Sequence, residues 1–183
     1  MEPFGFTLTQ EEKQALKDLV YQSIQKEITG KDEPLPEPPT ERLLEHFGAF
    51  VTLKVQGRLR GCIGHVLGDK PLWDTVREMA VCAAMQDPRF PPMHLEELEQ
   101  AQVEISVLSP MRQVEDPEAV EPGRHGLMIQ RGFHSGLLLP QVATEWGWDR
   151  ETFLDQTCLK AGLPRGCWRS KKVQLLVFEA EVF

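Results

Sequence analysis

The segment Leu59-Arg60-Gly61-Cys62-Ile63-Gly64 places a guanidinium and a thiol two residues apart. In an extended strand side chains alternate, so Arg60 and Cys62 are expected on one face, their α-carbons roughly 6.5–7 Å apart, with Leu59 and Ile63 on the other. A neighbouring cation favours thiolate over thiol, the state that a nucleophilic or metal-binding cysteine requires. Gly61 and Gly64 remove side chains on either side of Cys62 and would let a ligand or another stretch of backbone approach closely. The competing reading is plain packing, since free cysteine is among the most commonly buried residues and behaves as a small hydrophobe.

Other residues could complete a site around Cys62. Cys62-x-x-His65 has half the spacing of a zinc site, but strand positions three apart point to opposite faces and no second pair lies nearby, so no metal site is assigned. His125, in Gly123-Arg124-His125-Gly126, could serve as a base toward Cys62, although a loop histidine is also an ordinary surface group. Asp87 and Arg89 flank Pro88 in a proline-stiffened loop, where they are expected first to pair with each other or fix the backbone, and second to touch a ligand. Glu145 shares a helical face with Gln141, beside Trp146 and Trp148, which are expected in the core. Dinucleotide fingerprint, Walker loop and serine elbow are all missing, and no cofactor is evident.

The elements that must position these groups read clearly in places. Thr9 and Glu12 form a capping box, and Leu16, Leu19, Val20, Ile24 and Ile28 recur at helical spacing, predicting a helix over about 10–29 that ends at Gly30. The proline-rich segment 32–39 is a surface linker, so residues 1–39 are expected to pack as helix plus linker on a main domain of residues 40–183. A short helix from Thr40 through Phe47 leads into a strand over 48–55. Gln56-Gly57 turns it into a return strand from Arg58 to Gly64; a two-residue turn would pair Val51 with Cys62 and Leu53 with Arg60. A helix follows with Leu72, Val76, Met79, Ala80 and Ala83 buried, then a rigid loop over 87–92, a short helix near 94–100 and a strand over 103–108.

The second half repeats this order: a hairpin from 126–129 and 136–139, helices at 140–146 and 151–161, and a closing strand over 173–183. Gly57 and Gly61 are matched by Gly132 and Gly136 at the same separation. The pattern suggests an α+β internal duplication, two similar β-layers sharing one core, with a chance succession of short segments as the alternative.

Composition narrows the function classes. A hydrophobic fraction of 41% and a charged fraction of 26% belong to a globular chain. The net charge of -8 opposes a broad nucleic-acid footprint, leaving only the local cluster Lys54, Arg58 and Arg60. Apolar runs fall far short of the roughly 20 residues of a membrane span, and Met1 to Phe6 lack the pattern of a signal peptide, so a cytoplasmic protein is expected. Its cysteines, Cys62, Cys82, Cys158 and Cys167, are then expected to be reduced, with no disulfide and no structural metal.

These segments together resemble the AMME-region family, whose microbial members are called AmmeMemoRadiSam system protein A. Beside LRGCIG, the matching segments are GAFVTL (48–53), DPRFPP (87–92), VEISVL (103–108), GRHGL (123–127), LLPQVATEWGWD (138–149) and FEAEVF (178–183), in family order over roughly residues 8–183. The resemblance implies two structural repeats around one barrel-like, mostly antiparallel sheet. The family's name implies a genomic association with a Memo-type protein and a radical SAM enzyme, which makes these possible partners, and no reaction is settled for it. Carried over by position, Arg60, Gly61, Cys62, Gly64, Asp87, Arg89, His125 and Glu145 fall on family motifs, whereas His65 falls where the residue type varies. Leu175 and Leu176 depart from an aromatic common in the family. The combined expectation is a cysteine-dependent enzyme or enzyme component acting on a small molecule or peptide, with Cys62, Arg60 and His125 as catalytic candidates and Gly61, Gly64, Asp87, Arg89 and Glu145 as ligand-binding ones. The alternative is a non-catalytic partner of the radical SAM assembly.

Overall fold

A computed structural model describes residues 6–183; the leader reading of the first five residues lies outside it. The chain divides into two compact units, one running to Leu108 and including Glu181–Phe183, the other Ser109–Ala180. The division therefore falls after residue 108, and the N-terminal helix belongs to the first unit.

In the first unit, α1 (Gln10–Thr29) is held at its start by the Thr9–Glu12 capping box and closed by Gly30 in the left-handed region at φ 64°. The expected helix after Thr40 is a single 3-10 turn, Glu41–Leu44. β1 (Gly48–Val55), β2 (Arg58–His65), β3 (Ala101–Leu108) and β8 (Ala180–Val182) form a four-stranded sheet in the order β2-β1-β3-β8. Ala49, Val51 and Leu53 of β1 and Ile105 and Val107 of β3 alternate into one core with α1 and with α2 (Leu72–Met85). A four-residue turn of helix, α3 (Leu95–Leu98), precedes β3.

The second unit has its own core and its own antiparallel sheet, ordered β4-β7-β5-β6, from β4 (Arg112–Val114), β5 (Gly126–Arg131), β6 (His134–Leu138) and β7 (Gln174–Phe178). α4 (Pro140–Glu145) and α5 (Arg150–Lys160) lie between β6 and β7. The α+β class and antiparallel pairing stand, but the single barrel-like sheet is replaced by two open four-stranded sheets, and the shared core by two. The physical reason lies at the C-terminus. The expected closing strand breaks at Glu179, so that Gln174–Phe178 pairs with β5 while Phe183 exchanges backbone hydrogen bonds with Ile105 of the first unit.

Two further expectations are corrected. Cys158 and Cys167 form a disulfide, because Gly162 to Gly166 fold the chain back over the end of α5, and Asp155 Oδ1 accepts the backbone N–H of Gly166 at 2.7 Å. Trp146 is 69% exposed, since Gly147 at φ 61° ends α4 there and turns the chain away; it stacks on Trp148 at a centroid distance of 6.2 Å.

Candidate functional site

Cys62 lies on β2, the edge strand of the first sheet, and its register differs from the expected one. Val55 pairs with Arg58 and Lys54 with Leu59, but Leu53 then pairs with Gly61 and Thr52 with Cys62. Arg60 is the extra residue of a β-bulge, which suspends simple alternation and shifts every later pairing by one. Cys62 consequently faces Thr52, whose hydroxyl donates to Sγ at 3.3 Å. Thr52 pairs in turn with Glu104 on β3, so one row across three strands reads Cys62, Thr52, Glu104. Lys54 Nζ reaches Glu104 Oε2 at 3.0 Å along that face. The half-buried Cys62 thiol thus faces a buried hydroxyl, with Glu104 of the Lys54–Glu104 ion pair beyond Thr52 in the same row.

Asp87 and Arg89 close the outer edge of β2 at this residue. Cys62 donates its backbone N–H to Asp87 Oδ2 at 2.9 Å, and its carbonyl accepts from Arg89 Nη2 at 3.2 Å. The two side chains form a fork, Arg89 Nε to Oδ1 at 2.9 Å and Nη2 to Oδ2 at 2.7 Å, so one residue's worth of strand partner is supplied by side chains. The Arg89 hydrogen bond holds the buried Asp87 carboxyl far below the usual carboxylate range, with the Cys62 and Arg89 N–H groups assisting against desolvation. Arg89 is pushed up first by its hydrogen bond to Asp87.

Arg60, the expected cation, is engaged elsewhere. Its Nε donates to Glu97 Oε1 at 2.7 Å and its Nη2 to Glu97 Oε2 at 3.0 Å and to the Pro91 carbonyl at 2.9 Å, with the guanidinium carbon 5.7 Å from the Phe90 ring centroid. Arg60 pulls the Glu97 carboxyl below its ordinary range. Its role is to tie the bulge to α3 and the preceding loop.

The glycines are filled by the protein itself. A Cβ at Gly61 would sit 2.1 Å from the Ala83 carbonyl oxygen of α2, and one at Gly64 would strike the Phe50 ring at 2.2 Å. His65 Nε2 contacts Asp69 Oδ1 at 2.7 Å. His125 belongs to the second unit, fully buried, its Nδ1 accepting the Glu121 N–H at 3.1 Å; burial lowers its pKa and keeps the ring neutral. Glu145 is exposed at the end of α4. The site therefore gathers Cys62, Asp87 and Arg89 and leaves His125 and Glu145 in the other unit. Thr52, Glu104 and Glu97 escape sequence reading, because they are marked only by a cross-strand register or a tertiary contact.

The AMMECR1 family model matches residues 17–183. The chain belongs to the AMMECR1 family. Among its relatives are a protein of Methanothermobacter thermautotrophicus, 43% identical with 96% of this chain and 95% of that one covered, and protein MK0488 of Methanopyrus kandleri, 46% identical with 98% and 91% covered. The crystal structure of the uncharacterized protein PH0010 from Pyrococcus horikoshii superposes with a TM-score of 0.89 at 40% identity, covering 97% of this chain and 93% of that one. The α+β arrangement is thus shared with an experimentally determined AMMECR1 relative. No helix among the described residues is long and apolar enough to cross a membrane.

Proposed function

We propose that this AMMECR1-family protein is a cytoplasmic cysteine-dependent enzyme, or component of one, in which Cys62 is the reactive group toward a small molecule or peptide. The observation that carries the reading is the Thr52 hydroxyl donating to Sγ of a cysteine whose backbone is clamped on its other side by Asp87 and Arg89. A donor aimed at sulfur favours the thiolate, and a clamped backbone keeps sulfur and donor in register. Arg60 acts in this reading as a positioning residue that maintains the bulge.

The test is the pH dependence of iodoacetamide alkylation, followed by peptide mass spectrometry at Cys62 and Cys82 in the same molecule. Cys82 serves as an internal reference, because burial raises its pKa. Cys62 should react faster near neutral pH, and Thr52→Val should slow it several-fold while leaving Cys82 unchanged. Equal alkylation of Cys62 and Cys82 near neutral pH, or a Cys62 rate that Thr52→Val does not alter, overturns the proposal.

A second reading, a non-catalytic partner of a Memo-type protein and a radical SAM enzyme, is favoured by a different observation. Arg60, Gly61, Gly64, Asp87 and Arg89 all have partners within their own unit, as expected of a stretch built to hold a surface in shape. Association with those proteins that survives Cys62→Ser supports it, and absence of association removes it. A nucleic-acid role is opposed by the carboxylate partners Glu104 on Lys54 and Glu97 on Arg60, which neutralise two of the three cations it would use.

A further inference from the structure

The second unit contains a cavity of about 560 Å³ where β4 and β7 meet the segment following the disulfide, within the size range of small-ligand pockets. Its walls include Val114, Val173 and Leu175 and the indole of Trp168, with Arg169 and Lys171 also lining it. The indole is fixed in place: Nε1 donates to Asp155 Oδ1 at 2.8 Å, the Arg169 guanidinium lies 3.9 Å from its ring centroid, and the adjacent Cys167 is bonded to Cys158 of α5. A rigid aromatic wall of this kind loses little conformational freedom when a flat ligand packs against it.

Charge distinguishes this cavity from a larger one in the first unit. The groove of about 660 Å³ beside α1 and α2 is lined by Lys26, Lys70 and Arg77, each already paired, with Asp32, Glu78 and Asp74 respectively. In the second unit Arg169 is paired with Glu151, but Lys171 has no carboxylate partner among the described residues. In a chain of net charge -8, a concavity whose lining mixes apolar side chains with the polar Gln113 and Ser170 and carries an exposed, unpaired ammonium favours an anion. Glu115 is the one carboxylate among the lining residues.

We propose that this cavity binds a small aromatic carboxylate, its ring against Trp168 and the apolar side chains Val114, Val173 and Leu175 and its carboxylate on Lys171. The assignment is independent of the Cys62 reading, and Cys62→Ser should leave it unaffected.

The probe is 2-naphthoate, titrated by calorimetry and by NMR of the full chain, with the Trp168 indole N–H resonance identified through Trp168→Phe. Saturable one-to-one binding that shifts this resonance is expected. Lys171→Gln and Lys171→Glu should each weaken it by about tenfold or more with unaltered melting temperature, as should replacing the probe by neutral 2-naphthamide. Val114→Trp, which fills the cavity, should abolish binding; should that variant fail to fold, the lysine variants decide alone. No saturation at millimolar naphthoate, equal affinity of the naphthamide, or unchanged affinity in both lysine variants overturns the proposal.

Discussion

The two hairpins of this protein occupy equivalent positions in their units and differ where chemistry could reside. Counting back from each turn, Gly61 opposite Leu53 corresponds to Gly136 opposite Ile129. Each glycine admits the backbone of a following helix, the Ala83 carbonyl oxygen of α2 at 2.1 Å from an added Cβ and the Ala161 nitrogen after α5 at 2.2 Å. Beside them, the row Cys62, Thr52, Glu104 of the first sheet corresponds to Leu137, Met128, Leu176 of the second. Arg60 has no counterpart, because the second hairpin pairs regularly from Arg131 and His134 to Leu127 and Leu138. The comparison separates architecture, which both units share, from three polar residues and a bulge that only the first possesses.

The largest expected effect tests the shared part. Gly61→Val and Gly136→Val should each destabilise their unit by roughly 3 kcal/mol, because in both the obstructing atom is backbone and cannot swing away. Thermal melts of the two variants measure it, and tolerance of either would break the equivalence.

Next comes the clamp that only the first unit has. Asp87→Ala leaves the Cys62 N–H and the Arg89 guanidinium without their acceptor and should cost about 2–3 kcal/mol in denaturant unfolding, reduced from the buried-pair value because Arg89 is half exposed. Since the folded pKa of Asp87 is depressed, its stabilisation is present above the unfolded value near about 3.9 and is lost as pH falls below that value toward the folded one. The wild type should therefore lose stability on acidification more steeply than Asp87→Asn.

Reduction of the Cys158–Cys167 disulfide, a staple only the second unit carries, should lower stability by about 2.5 kcal/mol for a loop of this length. Melting with and without dithiothreitol measures this, and Cys167→Ser should remove the difference. Smallest is the deletion of Arg60, which should restore regular pairing like that of the second hairpin at a cost of about 1–2 kcal/mol for the lost Glu97 and Pro91 contacts. Hydrogen exchange should retain protection in β1, whereas its loss would mean that the bulge is required for the sheet itself.

Legibility followed the range of the interactions. α1 could be bounded from sequence because the capping box, apolar stripe and terminal glycine are all local, and both hairpins declared themselves through alternation and turn residues. β4 was invisible at three residues, its partner Val177 lying 65 positions from Arg112 in the chain. Of the site, Cys62, Asp87 and Arg89 stood out by type and spacing. Thr52 did not, because a threonine in a strand is ordinary until the register sets it opposite the thiol. The reduced-cysteine expectation failed for the same reason: a helix end and a loop residue meet only once Gly162 to Gly166 have turned the chain.

By itself the amino-acid sequence determined the α+β class, nearly every helix and strand, the family segments and the cysteine around which the candidate site is drawn, all of which depend on residues near one another in the chain. Only the tertiary structure decided which cation approaches Cys62, what donates to its sulfur, and that two open sheets with separate cores take the place of one. One inserted residue, Arg60, shifts the register of all that follows, and whether a strand bulges there depends on Glu97 and the Pro91 carbonyl, groups more than 30 positions away.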